Sequence, residues 1–152
     1  MRIGVAIGGL LTGAALSIAA PAAVAIAASC TRDDFAAVVE QAADALRTMN
    51  SENTPKFQAK LRALKVRRKW SQDQFMKEAA PFVQDDDIQG YDETTGTLLN
   101  KIQGLGEGGS GREPDCALLQ VLRMHMQSLV ETTEAKWSYM NGKLDKALAA
   151  AD

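Results

Sequence analysis

The chain has 152 residues, 46% of them hydrophobic, and a formal net charge of −2. That length makes one domain able to bury its own core, and so mild a charge names no partner by itself. One histidine and two cysteines supply too few parts for a nucleophilic triad or a zinc site, and the cysteines, Cys30 and Cys116, are too far apart in sequence for a Cys-x-x-Cys redox pair.

The first 28 residues, MRIGVAIGGLLTGAALSIAAPAAVAIAA, carry one charge at Arg2, an apolar run to Ala20, a breaker at Pro21 and then small residues. This is the pattern of a secretory signal peptide. Ala25-Ile26-Ala27 fits the small-x-small rule of signal peptidase, which places cleavage after Ala27. The expected organisation is a signal peptide over 1–27 and a single helical domain over 28–152. The competing reading is a membrane anchor, since the run nearly spans a bilayer; its Gly/Ala richness and Pro21 argue against retention. Lipidation at Cys30 is disfavoured because Ala27 stands where a Leu or Val is usual. The expected location is therefore periplasmic or secreted. An oxidising compartment favours a disulfide between Cys30 and Cys116. Closing so long a loop contributes about 4 to 5 kcal/mol in the loop-entropy model.

Thr31 and Asp34 form a capping-box-like pair. Phe35, Val38, Val39, Ala42, Ala45, Leu46 and Met49 then recur at helical spacing, predicting a helix over 32–49. Ser51-Glu52-Asn53-Thr54-Pro55 reads as a turn, with Pro55 at the first position of a second helix over 55–69. Ser71 and Gln74 make another capping box, opening a short helix over 71–80 that ends before Pro81. Ile88, Tyr91, Thr95, Leu98, Ile102 and Leu105 predict a fourth over 86–104, despite Gly90 and Gly96. Residues 104–113 read as a flexible Gly-rich linker. A fifth helix is predicted over 115–140 or beyond, bent or ended by Asn141-Gly142. The fold class is all-α, an antiparallel bundle of four to five helices. If every connection reverses direction, four reversals make the first and fifth helices parallel, so one disulfide can pin their starts together.

The compositional outlier is KFQAKLRALKVRRK, residues 56–69, with seven basic residues and no acidic one. On a helical wheel Phe57, Leu61 and Leu64 form one stripe, flanked by Lys56, Lys60 and Arg67 on one side and by Arg62, Lys65 and Lys69 on the other. Such a segment suits an anionic surface, either lipid or acidic protein. The plainer alternative is a solvated helix whose cations neutralise Glu52, Asp73 and the Asp85–Asp87 run. The expected function is an exported, non-enzymatic binding or adaptor protein, whose Lys60, Arg62, Lys65, Arg67, Arg68 and Lys69 engage an anionic envelope partner. Nucleic acid fits neither an exported compartment nor the net negative balance.

His125 lies in VLRMHMQSL, between Met124 and Met126. On one regular helix those three side chains point about 100° apart, so they do not converge on one ion. A copper or haem site therefore needs His125 with a methionine from another helix, such as Met49 or Met76; the alternative is a packed histidine. A further alternative function is a periplasmic chaperone, supported only by helicity and the two cysteines. Asp85-x-Asp87-x-Gln89-Gly90 resembles half a calcium loop but has Gly96 where a bidentate glutamate belongs, and helix N-capping accounts for the aspartates. Trp70, Trp137, Tyr91 and Tyr139 fill the core or line an apolar groove. No cofactor is expected otherwise.

Overall fold

In the computed structural model, residues 29–109 and 113–151 are described, and every regular element among them is helical. The signal peptide expected over 1–27 and the centre of the expected linker, 110–112, lie outside the described residues. The elements are α1 (Arg32–Arg67), α2 (Gln72–Glu78), a 3-10 turn (Ala80–Phe82), α3 (Asp86–Gly109) and α4 (Cys116–Ala149).

α1 begins where the capping box places it. Thr31 Oγ1 accepts from the Asp34 N–H at 3.3 Å, and the Asp34 carboxylate takes the Thr31 N–H at 2.7 Å. That reciprocal bonding, with the backbone N–H of Thr31 first, holds the Asp34 carboxyl below the usual carboxylate range. The expected break at 50–55 is absent, because α1 runs unbroken through Pro55 for 36 residues. A proline inside a helix costs about 3 kcal/mol. Phe57 and Leu64 beyond it are 5% and 1% exposed, and burying two such side chains contributes about 1.5 to 3 kcal/mol each. Tertiary burial therefore outweighs the local punctuation: the helices expected over 32–49 and 55–69 are one, which leaves four α-helices among the described residues, within the four to five expected.

α3 likewise continues through Gly104 and Gly106 to Gly109 instead of yielding to a linker at 104. Ile102 and Leu105 pack against a buried cluster there, so the glycine penalty is offset. α4 passes Asn141-Gly142 without ending; the Asn141 side chain donates to the Trp137 carbonyl at 3.0 Å, inside the helix.

Direction follows from contacts between the ends. Cys30 and Cys116 are bonded, with Cα atoms 5.4 Å apart. At the far end Lys60 meets Asp145 at 2.8 Å, so α1 and α4 run parallel. Asp92, early in α3, pairs with Lys136, late in α4, while Ile102 packs beside Leu119 and Leu122, so α3 runs antiparallel to both. The chain thus goes up, down and up in three long helices, with two reversals instead of four; the parity that permits the disulfide is the same.

The core has two halves. Val38, Ala42, Leu119, Leu122 and Met126 are buried at the disulfide end. Phe57, Leu64, Ile88, Met140 and Leu144 are buried at the other. In the second half Leu64, Ile88 and Leu144, one from each long helix, are fully enclosed. α2 buries no residue at all, and lies beside the second half as a peripheral element of the connection between α1 and α3.

Candidate functional site

The last turns of α1 present the basic run. Leu64 is sealed in the core while Arg62, Val66, Arg67, Arg68 and Lys69 face solvent, as the period of 3.6 requires for residues off the Phe57–Leu61–Leu64 stripe. The helix stops in a Schellman arrangement. The Lys69 N–H reaches the Val66 carbonyl at 3.1 Å, and the Trp70 N–H reaches the Lys65 carbonyl at 3.0 Å. Lys69 occupies the left-handed position with φ 56°, the one non-glycine among the described residues at positive φ. Glycine is the usual occupant there, and a side chain at such a position costs about 1 kcal/mol.

The basic side chains divide by partner. Lys60 pairs with the carboxylate of Asp145 at 2.8 Å. Arg67 donates to the Leu148 carbonyl at 3.2 Å and Arg68 to the Ala150 carbonyl at 3.4 Å, so both cap the otherwise unsatisfied last turn of α4. Lys65 donates to the Gln72 side-chain oxygen at 2.6 Å and sits 5.2 Å from the centroid of the Phe75 ring, which fixes α2 beside the end of α1. Among the described residues no carboxylate lies within ion-pair distance of Arg62, Lys65, Arg68 or Lys69. A bond to a neutral carbonyl or amide orients a cation without cancelling its charge.

Two large apolar side chains stand among these cations. Val66 is 75% exposed and Met76 66%. The helical wheel already puts Val66 opposite the buried stripe, so its exposure was legible; Met76 was not, because α2 has no apolar stripe from which to read an outward face.

The acidic stretch expected to neutralise the basic run turns elsewhere. Asp85 accepts from the Ile88 N–H at 2.8 Å, capping α3, and meets Lys143 and Tyr139 of α4. The Lys143 ammonium, then the Ile88 N–H, hold its carboxyl below the usual range. The Tyr139 hydroxyl lies 2.7 Å from Asp87 and 2.9 Å from Asp85, and the bond to Asp87, with burial second, pushes the phenol well above its ordinary value.

His125 is half-buried on α4, level with the disulfide-end cluster. The parallel register that sets Cys30 beside Cys116 puts Met49 ten positions further along than the residue level with His125, about 15 Å along the axis. Met76 lies at the opposite end on α2. Met126 is buried in the cluster and Met124 is 58% exposed. The structure does not bring His125 together with Met49 or Met76. Among the described residues no group of three or more His, Cys, Asp or Glu could hold a metal ion.

Of the aromatics, Trp70, Trp137 and Tyr139 pack against the second core cluster. Trp137 donates to Asn50 at 2.9 Å and lines, with Asp92, Thr95, Lys136 and Met140, a cavity of about 370 Å³. An apolar groove of about 520 Å³ between α1 and α3 is lined by Phe35, Val39, Ile102, Leu105, Leu122 and Met126. No helix among the described residues is long and apolar enough to cross a membrane.

Comparison with family models, curated proteins and solved structures finds no match, so any functional reading rests on the residues of this chain.

Proposed function

We propose that this is an exported, non-enzymatic binding protein that engages an anionic envelope partner through the cationic end of α1. Its leader pattern directs export, and the Cys30–Cys116 bond suits an oxidising compartment. The observation that carries the reading is the segregation of charge. Residues 56–77 hold eight basic side chains and one acidic one, leaving nine of the 17 basic residues and 18 of the 19 acidic ones to the rest of the chain. Such asymmetry steers an anionic surface toward one end of the molecule and sets orientation on contact.

Arg62, Lys65 and Lys69 supply the attraction together with Arg68, which like Lys60 and Arg67 also ties α1 to α4. The outward cations are held on a helix whose other face is locked into the core through Phe57 and Leu64, so little ordering is needed on binding. Lys69 in a position that favours glycine supports the same reading, because a modest conformational cost is accepted to keep a cation there.

The experiment is co-sedimentation of the protein with an isolated envelope fraction. Arg62→Glu with Lys69→Glu removes two outward cations without touching the bonds that cap α4, and Arg47→Glu, midway along α1, is the control. Release of the double variant with retention of the control is the expected result. Equal binding of all three proteins overturns the proposal.

A further inference from the structure

The exposed apolar side chains at the cationic end point to the nature of the anionic partner. Of the large apolar residues that stand exposed among the described residues, Val66 and Met76 flank the Arg67-Arg68-Lys69 run, one on the last turn of α1 and one on α2. Val66 follows Arg62 by one helical turn on the outward side of α1, so a cation and an aliphatic group share one strip of surface. α2 is placed beside that strip by the Lys65 contacts to Gln72 and Phe75, yet buries none of its own residues and turns Met76 outward.

Neither the apolar groove between α1 and α3 nor a second, more polar groove between α1 and α4, lined by Gln41, Arg123, Gln127 and Glu131 beside Val38 and Met126, includes a residue from 56–78. A stable protein interface relies on a well-packed patch of roughly 800 Å² on each side, with anchors seated in pockets. A bilayer surface asks for less: cations spaced to meet headgroups and a few apolar side chains that enter the layer beneath. α2 itself carries Asp73 and Glu78 beside Lys77, so the attraction comes from the end of α1 and α2 contributes its apolar tip.

We propose that the anionic partner is a phospholipid bilayer surface, met at the headgroups by Arg62 and Lys69 and entered by Val66 and Met76. The proposal rests on the cationic-end reading above. It adds that contact has an apolar component and that lipid alone suffices as the partner. A valine and a methionine placed beyond the headgroups leave water only if the surface is deformable and apolar below, which an acidic protein face or a polyanionic chain in water does not provide. The attachment is peripheral, since the seven-residue α2 is far too short to span a membrane.

The test uses vesicles of phosphatidylglycerol and phosphatidylcholine, with vesicles of phosphatidylcholine alone beside them. The full chain is used with its disulfide intact, every variant carrying the same amino terminus so that any contribution of the leader cancels. Val66→Ser with Met76→Ser is the diagnostic variant, and Leu99→Ser, at another exposed apolar position on α3, is the control. Circular dichroism checks that all remain folded. The expected result is binding to the anionic vesicles and little to the neutral ones, weakened about tenfold or more by the Val66/Met76 pair and unchanged by Leu99→Ser. Anionic-vesicle binding that the pair leaves unchanged overturns the proposal, because the contact is then charge alone. Equal binding to neutral vesicles overturns it as well. If neither vesicle binds while the envelope fraction still retains the protein through Arg62 and Lys69, the bilayer proposal fails and the cationic-end reading stands with a macromolecular partner.

Discussion

The Tyr139 hydroxyl lies 2.9 Å from an oxygen of Asp85, joining the middle of the last turns of α4 to the residue that caps α3. Lys143 reaches the same carboxylate one turn later, so a single side chain at the end of the connection sets where α3 begins and which face of α4 it meets. Asp85 has its carboxyl lowered by Lys143 first, then by the Ile88 N–H and Tyr139. A carboxylate whose folded value lies below its unfolded one contributes stability that is present above the unfolded value and lost as the pH falls through the folded one. We expect Asp85→Asn to lower the urea midpoint at neutral pH, with the gap from the parent closing from about pH 4 downward. Asparagine can still cap α3, so the loss reads out the contacts to Lys143 and Tyr139. A gap equally wide at neutral pH and in acid contradicts this assignment.

The disulfide closes a loop of 86 positions and fastens the starts of two parallel helices. In the loop-entropy model, reduction or replacement by serine at both cysteines costs about 4 to 5 kcal/mol. Against the 5 to 15 kcal/mol typical of a domain, that loss leaves the chain marginal at physiological temperature. Denaturant melts with and without reductant measure it. The signature of the topology is where the loss falls: amide exchange should quicken first around Val38, Leu119 and Leu122, before the enclosed Leu64, Ile88 and Leu144.

Pro55 sits inside α1 with its ring exposed to solvent. Pro55→Ala restores one backbone donor and removes the clash with the preceding turn, for a gain of about 1 to 3 kcal/mol after the greater freedom of the unfolded chain is counted. A rise in melting temperature with unchanged helicity is the expected outcome. A loss of stability would mean that the helix needs the distortion that proline supplies.

Lys69 gives a sharper separation of stability from binding. Lys69→Gly relieves a left-handed lysine and should stabilise the protein by about 1 kcal/mol. The same change removes an outward cation and should weaken retention on the envelope fraction. The two effects run in opposite directions, so thermal melts and co-sedimentation on one variant decide whether the position serves folding or contact.

Much of the fold could be read from the sequence, and the misreadings share one cause. Caps were legible because they are local: Thr31 with Asp34 and Ser71 with Gln74 both form reciprocal bonds where their spacing placed them. The shared starting points of α1 and α4 were legible through two cysteines and a parity of reversals. The false breaks at Pro55 and at Gly104 arose because local penalties of about 1 to 3 kcal/mol were weighed without the tertiary burial that outweighs them. At the cationic end the residue identities were legible and their partners were not. That Arg67 and Arg68 cap the carbonyls of Leu148 and Ala150 depends on α4 ending beside α1, which no spacing in either segment encodes. The consequence is practical. Reversing Lys65, Arg67 and Arg68 together would disturb the end of α4 along with the surface charge, whereas Arg62 and Lys69 can be changed without breaking a hydrogen bond to another element.

The most direct measurement of the central claim is the affinity of the parent protein for the isolated envelope as a function of ionic strength. At about 0.1 M salt the screening length is about 10 Å, and at 1 M it is about 3 Å. Contact made by outward cations on α1 predicts an affinity that falls about tenfold or more across that range, with a shallower fall for the Arg62→Glu, Lys69→Glu variant. An affinity that holds constant from low to high salt, with the same curve for the variant, would contradict it.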